Sequence, residues 1–305
     1  MQPGKHDRRL AITAVVGCKN KCSYCPQDPF VRAYLKRSRE TSMSFETFRT
    51  CVDKVPTDVC INFAGFAEPW FNPACTDMLL YAFDKGHRIR VFTTMTGMTE
   101  QDVERIRRVP FETFTVHLAD GQNKTRIRVD DQYLSVLDRL LTYGLSNAEY
   151  IFHFTQGGNE DVHEEAKRVF ARHGIEPKRR GLVTRAGNVT IDGQNCPVRL
   201  EGTLQHCRRF YVNSLLPNGD VVLCCMDWGL KHILGNLVEC RYEDLHQGET
   251  FQLILRGQKD AKLDILCRTC EEARLQPSQW TRLRRAAGRL VRRPAQVVSE
   301  PDVLE

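Results

Sequence analysis

The chain has 305 residues, 41% hydrophobic and 27% charged, with a formal net charge of +6. That length holds one large domain, or a medium domain and a small one. The composition is that of an ordinary globular protein, and the mild charge does not mark an obligate nucleic-acid binder. No stretch approaches membrane-spanning length. The N-terminal apolar run at 10–16 is too short for a signal-peptide core with a cleavage site, so a cytoplasmic location is expected. Thirteen cysteines, an odd number clustered at short spacings, argue against a disulfide framework and for metal or cofactor binding in a reducing compartment.

In chain order, the first predicted strand is LAITAVV (10–16). Directly after it comes GCKNKCSYCPQ (17–27), which sets Cys18, Cys22 and Cys25 at C-x3-C-x2-C. Three thiolates are one short of the four ligands that a tetrahedral zinc or a cubane iron–sulfur cluster takes. A helix follows over SFETFRTCVDKV with Ser44 as N-cap. The second strand, VCINFAG (59–65), runs into GFAEP (65–69). The helix in NPACTDMLLYAFDKG is expected to take Asn72 as cap, Pro73 at its first position and Gly86 as stop. Strand IRVFTT (89–94) is followed by a helix opening at Thr99, with Asp102 completing a capping box. Strand TFTVHL (113–118) ends at His117, with Asp120 just beyond. A helix closing at Gly144 leads to strand YIFHF (150–154), which carries His153 and is followed by Gln156. A helix from Asn159 to Gly174 and a sixth strand, GLVT (181–184), complete the series, and TRAGN (184–188) follows.

Six strand–helix units imply a parallel sheet with right-handed crossovers. They are too few for a closed eight-stranded barrel. An open, partial (β/α)6 TIM barrel fits, and a doubly wound sheet is the alternative. In either, ligands gather at the C-terminal strand ends, where the cysteine loop lies. The pattern changes after Arg185, and we divide the chain into a barrel (1–195), a small α+β domain (196–275) and a basic helix with a tail (276–305). The small domain is expected to hold two strands around PNGD, within RFYVNSLLPNGDVVLCC (209–225), a helix in YEDLHQGETFQLILRGQ, and then CRTC. Cys207, Cys224, Cys267 and Cys270 make a four-thiol set that suits a zinc ribbon or an iron–sulfur cluster. Cys51, Cys60 and Cys75 read as core, and Cys196 is unassigned. The arginine-rich stretch at 282–293 reads as a solvated amphipathic helix.

The C-x3-C-x2-C loop, with Tyr24 before its last cysteine, resembles the signature of the radical S-adenosylmethionine (radical SAM) superfamily. The resemblance implies that three thiolates hold a 4Fe–4S cluster whose fourth iron is left for S-adenosylmethionine. Reductive cleavage of that cosubstrate yields a 5′-deoxyadenosyl radical. It also implies cosubstrate contacts from Tyr24, from Gly65 and Glu68 in the stretch similar to GGEP, from Thr94 and His117 at strand ends, and from Arg185. Cys207-x11-Gly-x4-Cys224 and Cys267-x2-Cys270 resemble a SPASM domain in its shortened twitch form, which holds one auxiliary 4Fe–4S cluster. Cys225 would then be a candidate hydrogen-atom donor, with Cys240 in reserve, and Asp227 a substrate contact.

The reading that follows is a radical SAM epimerase or dehydrogenase, similar to superfamily members acting on aminocyclitols. Its expected substrate is a small carbohydrate-like molecule, since strand one starts near residue 10 and leaves no room for a leader-recognition domain. Its expected electron donor is a flavodoxin or ferredoxin, and neither membrane nor nucleic acid is an expected partner. The alternatives are a peptide-modifying enzyme of the same chemistry and a non-catalytic metal protein that binds nucleic acid through its basic tail.

Overall fold

The structure is a computed structural model that describes residues 8–154, 158–189, 198–205, 207 and 209–276. The expectations for Gln156, Cys196 and the arginine-rich helix lie outside the described residues.

Six parallel strands form as predicted in kind, and shorter in most cases: β1 (Arg9–Ile12), β2 (Cys60–Phe63), β3 (Ile89–Thr93), β4 (Thr113–His117), β5 (Ala148–Phe154) and β6 (Lys178–Gly181). β2 is buried along its whole length, as strands covered on both faces are. β6 lies upstream of the expected GLVT. Its residues are exposed, and the Arg179 guanidinium sits 4.4 Å from the centre of the Phe154 ring. Charged side chains on such an edge discourage pairing with another chain.

The helices are α1 (Gln27–Leu35), α2 (Phe45–Val52), α3 (Cys75–Asp84), α4 (Glu100–Ile106), α5 (Asp131–Tyr143), α6 (Glu164–His173) and α7 (Glu249–Lys259). Ser44 caps α2 by accepting from the Thr47 N–H, and Thr99 with Asp102 forms the expected capping box on α4. Two boundaries differ. Asn72 does not cap α3, which starts at Cys75. Its Nδ2 bonds the carbonyls of Ala14 and Met43 and fastens the segments after β1 and before α2, while its Oδ1 accepts from the Ala74 N–H in the turn ahead of the helix. The helix expected from Asn159 starts at Glu164, capped by His163. Helix α1 was not expected. It begins directly behind the cysteine loop, and its buried Phe30 and Tyr34 anchor it.

The sheet order is β6-β5-β4-β3-β2-β1-β7-β8-β9, with β7 (Val212–Leu215), β8 (Asp220–Val222) and β9 (Ile233–Asn236). The first six strands lie in chain order with no reversal, which excludes a doubly wound sheet and leaves an open partial barrel. β7 pairs parallel with β1, Arg9 beside Val212 and Ile12 beside Leu215. The hairpin predicted around PNGD is β7–β8, antiparallel with Ser214 opposite Val222. The chain therefore returns along β8, and Cys224 falls near the level of Arg9, away from the C-terminal end of β1. β9 was not expected. The predicted single helix after it is a 3-10 turn (Tyr242–His246) and then α7, divided at Gly248.

One large apolar core fills the space between sheet and helices. A second cluster of Phe30, Tyr34, Phe66, Leu216, Val222, Trp228 and Leu230 packs α1 against the C-terminal hairpin. Phe114 on β4 is fully buried, 4.9 Å from Phe111 between ring centres. Replacing Phe114 with Ala is expected to cost about 3–5 kcal/mol. Thr99→Ala, which removes one exposed cap, is expected to cost about 1 kcal/mol. Chemical denaturation midpoints of the two variants should rank in that order.

Candidate functional site

The cysteine loop begins at Cys18, six residues past the end of β1, and runs to the start of α1 at Gln27. Its shape is set by hydrogen bonds to four other segments. The Cys18 N–H donates to Gln27 Oε1 (3.0 Å), and Gln27 Nε2 donates to Cys25 Sγ (3.4 Å) and to the Phe66 carbonyl (2.5 Å). Asn20 Nδ2 donates to Thr94 Oγ1 at the end of β3 (2.9 Å). The Ser23 N–H donates to the Lys124 carbonyl, and Cys22 Sγ donates to the Thr125 carbonyl, in the loop after β4. Asp120 shapes that loop by accepting from the N–H groups of Gln122, Lys124 and Thr125.

The three thiols are close enough that Cys18 and Cys25 both raise the pKa of Cys22. Burial contributes most, and the Cys22 thiol is pushed up to about 12. Burial also raises Cys18 and Cys25. Forming three thiolates here requires positive charge that the thiols do not give one another. An iron–sulfur cluster carries that charge in its irons, so the donor set fits a cluster with three protein ligands.

Gly65 and Glu68 hold the second strand end. Gly65 has φ +94°, and a Cβ there would collide with the Thr13 hydroxyl. Only glycine fits such a position without strain. Glu68 is 4% exposed and fully used: Oε1 accepts from the Thr93 hydroxyl (2.6 Å) and the Trp70 N–H (3.2 Å), and Oε2 from the Thr94 N–H and hydroxyl. Burial raises its pKa, and these donors oppose the shift. Glu68 and Thr94, both expected near the cosubstrate, thus join the ends of β2 and β3 to each other. Phe66, where the family motif has glycine, stacks on Phe30 (4.6 Å) and meets Trp228 edge-on (4.8 Å).

Across the mouth, His117 Nδ1 lies 2.9 Å from His153 Nε2, and the Tyr24 ring lies 5.5 Å from that of His153. Burial lowers His117 to about 3, helped by His153 and Arg185, and lowers His153 to about 4, helped by Arg185. The Arg185 charge also acts on Tyr24 and Cys25. The structure therefore brings Tyr24, His117, His153 and Arg185 together beside the cysteine loop. Arg185 and Ala186 both have φ +54°, and the Ala186 N–H donates to Glu271 Oε2 (2.8 Å), next to Cys270.

Cys207, Cys224, Cys267 and Cys270 line one small cavity of about 20 Å³, with Phe210, Leu223 and Met226 among its apolar walls. Among the described residues no three His, Cys, Asp or Glu side chains close around a single ion. Four thiols around a hollow suit a cubane, which gives each thiolate its own iron, better than a zinc ion. Arg268, fully buried inside CRTC, donates to the carbonyls of Gly257, Leu200 and Gly202 and fixes that loop. His232 Nε2 accepts from the Leu266 N–H (3.0 Å). Cys225 sits beside Arg209, whose Nη1 donates to Cys225 Sγ (3.7 Å) while Nη2 pairs with Glu272. Asp227 does not present its carboxylate to a substrate: both oxygens accept from the N–H groups of Lys231 and His232 and close their own turn. Cys240 lies in the turn after β9, its N–H bonded to the Asn236 carbonyl.

Residues 195–271 match the family model of the SPASM iron–sulfur cluster-binding domain. No curated protein matches the chain. Among solved structures, BtrN in complex with AdoMet and 2-DOIA is 16% identical, covers 88% of this chain and 95% of its own, and has a TM-score of 0.57. Native anSMEcpe with bound AdoMet is 13% identical, with coverages of 92% and 99% and a TM-score of 0.57. SuiB of Streptococcus suis bound to precursor peptide SuiA is 14% identical, with coverages of 87% and 71% and a TM-score of 0.59. The chain has the fold of a radical SAM enzyme, an open partial barrel with a C-terminal SPASM-type domain. The family match assigns iron–sulfur cluster binding to residues 195–271, and the structural likeness extends the shared fold over the rest of the chain.

Two outcomes follow. Reconstituted protein should hold roughly eight irons per chain, and Cys22→Ala or Cys207→Ala should each remove about half, by iron and sulfide assay. The folded state resists protonating His117 and His153, whose ordinary value is 6.5, so their stabilising contribution is whole above about 6.5 and is lost as pH falls toward 4 and 3. A His117→Gln, His153→Gln double variant should flatten that part of the stability–pH curve, followed by denaturant midpoint.

Proposed function

We propose that the enzyme takes a hydrogen atom from a hydroxyl-bearing carbon of a sugar- or aminocyclitol-like molecule and oxidises the alcohol to a carbonyl. When bound, the open cluster and S-adenosylmethionine supply the abstracting 5′-deoxyadenosyl radical. The observation that carries the reading is the neutral His117–His153 pair beside the cysteine loop. Both imidazoles stay neutral, so their ring nitrogens can hydrogen-bond the hydroxyl groups of such a substrate, while oxidation to the carbonyl sends the proton to solvent and the electron to the auxiliary cluster that the four-thiol set would hold. Arg185 supplies a fixed positive charge for an anionic group at the same mouth. The likeness to a structure holding 2-DOIA supports a small-molecule substrate, and the likeness to one holding a precursor peptide marks the competing class. We propose a flavodoxin or ferredoxin as electron donor.

A second reading, epimerisation, is favoured by one observation. Cys225 keeps a half-buried free thiol, held by Arg209 Nη1 at 3.7 Å, and such a thiol is the kind of group that returns a hydrogen atom to a substrate radical.

Anaerobic incubation of reduced, reconstituted protein with S-adenosylmethionine and a panel of cyclitols, sugars and peptides tests both. 5′-Deoxyadenosine formation driven by a polyol, with a carbonyl product, is the expected result. His117→Ala should lower polyol-driven product formation about tenfold, as the loss of one substrate hydrogen bond does, read as carbonyl product per unit time. Turnover with peptides alone would sink the small-molecule reading. Solvent deuterium at an inverted carbon, abolished by Cys225→Ala, would replace oxidation with epimerisation.

A further inference from the structure

We propose that Gln27 is a positioning residue that sets the reduction potential of the cluster held by Cys18, Cys22 and Cys25, through the N–H it donates to Cys25 Sγ. The inference rests on the cluster assignment of that loop. Gln27 is the first residue of α1 and is 9% exposed. All three of its amide bonds are used, and together they leave one orientation. The Cys18 N–H can only donate, so the atom it meets at 3.0 Å is the amide oxygen. The Phe66 carbonyl can only accept, so the atom 2.5 Å from it is the amide nitrogen. The second hydrogen of that nitrogen then points to Cys25 Sγ at 3.4 Å. A flipped amide would set two acceptors and two donors against each other.

Cys25 is half-buried, and a hydrogen bond to a sulfur partly withdrawn from water is electrostatically stronger than one in water. Hydrogen bonds to cluster sulfurs favour the reduced, more negative state and raise the potential. The same side chain joins the loop after β1 to the loop after β2 through Phe66, itself wedged between Phe30 and Trp228. Cys25 is thereby held at one distance from its donor. Gln27→Glu keeps the acceptor for the Cys18 N–H and removes both donors. Gln27→Leu keeps the length and removes all three bonds.

The test is a potentiometric EPR titration of the reconstituted full-length protein. It follows the reduced-cluster signal that changes when S-adenosylmethionine is added, which separates this cluster from the auxiliary one. In both variants the ratio of reduced to oxidised cluster at a fixed potential should fall about tenfold, a shift of about 59 mV to lower potential for one electron. An exchangeable-proton coupling detected by ENDOR after transfer to D2O should be present in the wild type and absent from both variants. A purely structural role would lower iron content and leave the potential of the remaining cluster unchanged. That result, or an unaltered proton coupling in Gln27→Glu, overturns the proposal. If Gln27→Leu does not assemble a cluster, the proton coupling in Gln27→Glu decides, since an added carboxylate lowers the potential by its charge alone. A wild type with no signal sensitive to S-adenosylmethionine overturns the cluster reading and the proposal with it.

Discussion

The structure turns on three neighbouring thiols whose ionisation burial makes harder. Cys18, Cys22 and Cys25 sit within one loop, and desolvation is the largest influence on each. The side chains that shape the loop, Gln27 and Asn20, are neutral. The nearest carboxylate in the electrostatics of Cys18 is Glu68, which is filled by four donors. Such an environment disfavours bare thiolates and favours a group that brings its own cations. Among the described residues Arg185 is the one positive charge the protein brings to bear, on Cys25, so most of the charge that three thiolates need must come with the bound group, while position is set by hydrogen bonds.

Those hydrogen bonds explain why the barrel is needed. The loop is pinned by the strand ends of β2 and β3, through Phe66 and Thr94, and by the loop after β4, through Lys124 and Thr125. No single element holds it. Glu68 then acts as the joint between two of the three supports. Its two oxygens bridge Trp70 on one side and Thr93 and Thr94 on the other, so a displacement of β3 is carried to Asn20 within two bonds. In a parallel sheet the C-terminal ends of neighbouring strands are brought to one level by the register itself, as with Phe63 beside Val91 and Ile12.

How much of this was legible in the sequence depended on the range of the interaction. The Thr99–Asp102 box and the Ser44 cap are local, and they appeared where residue type and spacing placed them. The cysteine spacing was legible for the same reason, since a loop of eight residues constrains its own thiols. Helix α1 was missed because Pro26 and Pro29 mask a helix that owes its place to Phe30 and Tyr34 packing on a cluster from the far end of the chain. Asn72 read as a cap because its type suits one, but its amide found two buried carbonyls elsewhere. Gln27 carried no signal beyond lying two residues after Cys25. Asp227 looked available to a substrate until the Lys231 and His232 N–H groups claimed it. Each miss is a side chain whose partner is set by the fold or by a turn that the local pattern does not announce.

The two cysteine sites are joined more closely than their separation along the chain suggests. β1 leads to Cys18, and its neighbour β7 connects Cys207 to the hairpin that carries Cys224. Strand β1 is thus flanked by the SPASM strand on one side and by β2 on the other. The remaining link is the 184–188 turn. Arg185 turns its charge toward Tyr24, Cys25 and the two histidines, while the next N–H, of Ala186, is held by Glu271 beside Cys270. Two consecutive non-glycine residues in the left-handed region cost about 1–2 kcal/mol each. A turn strained in this way persists only while its anchor does, so the order of Arg185 at the mouth depends on the loop that carries the Cys267–Cys270 pair.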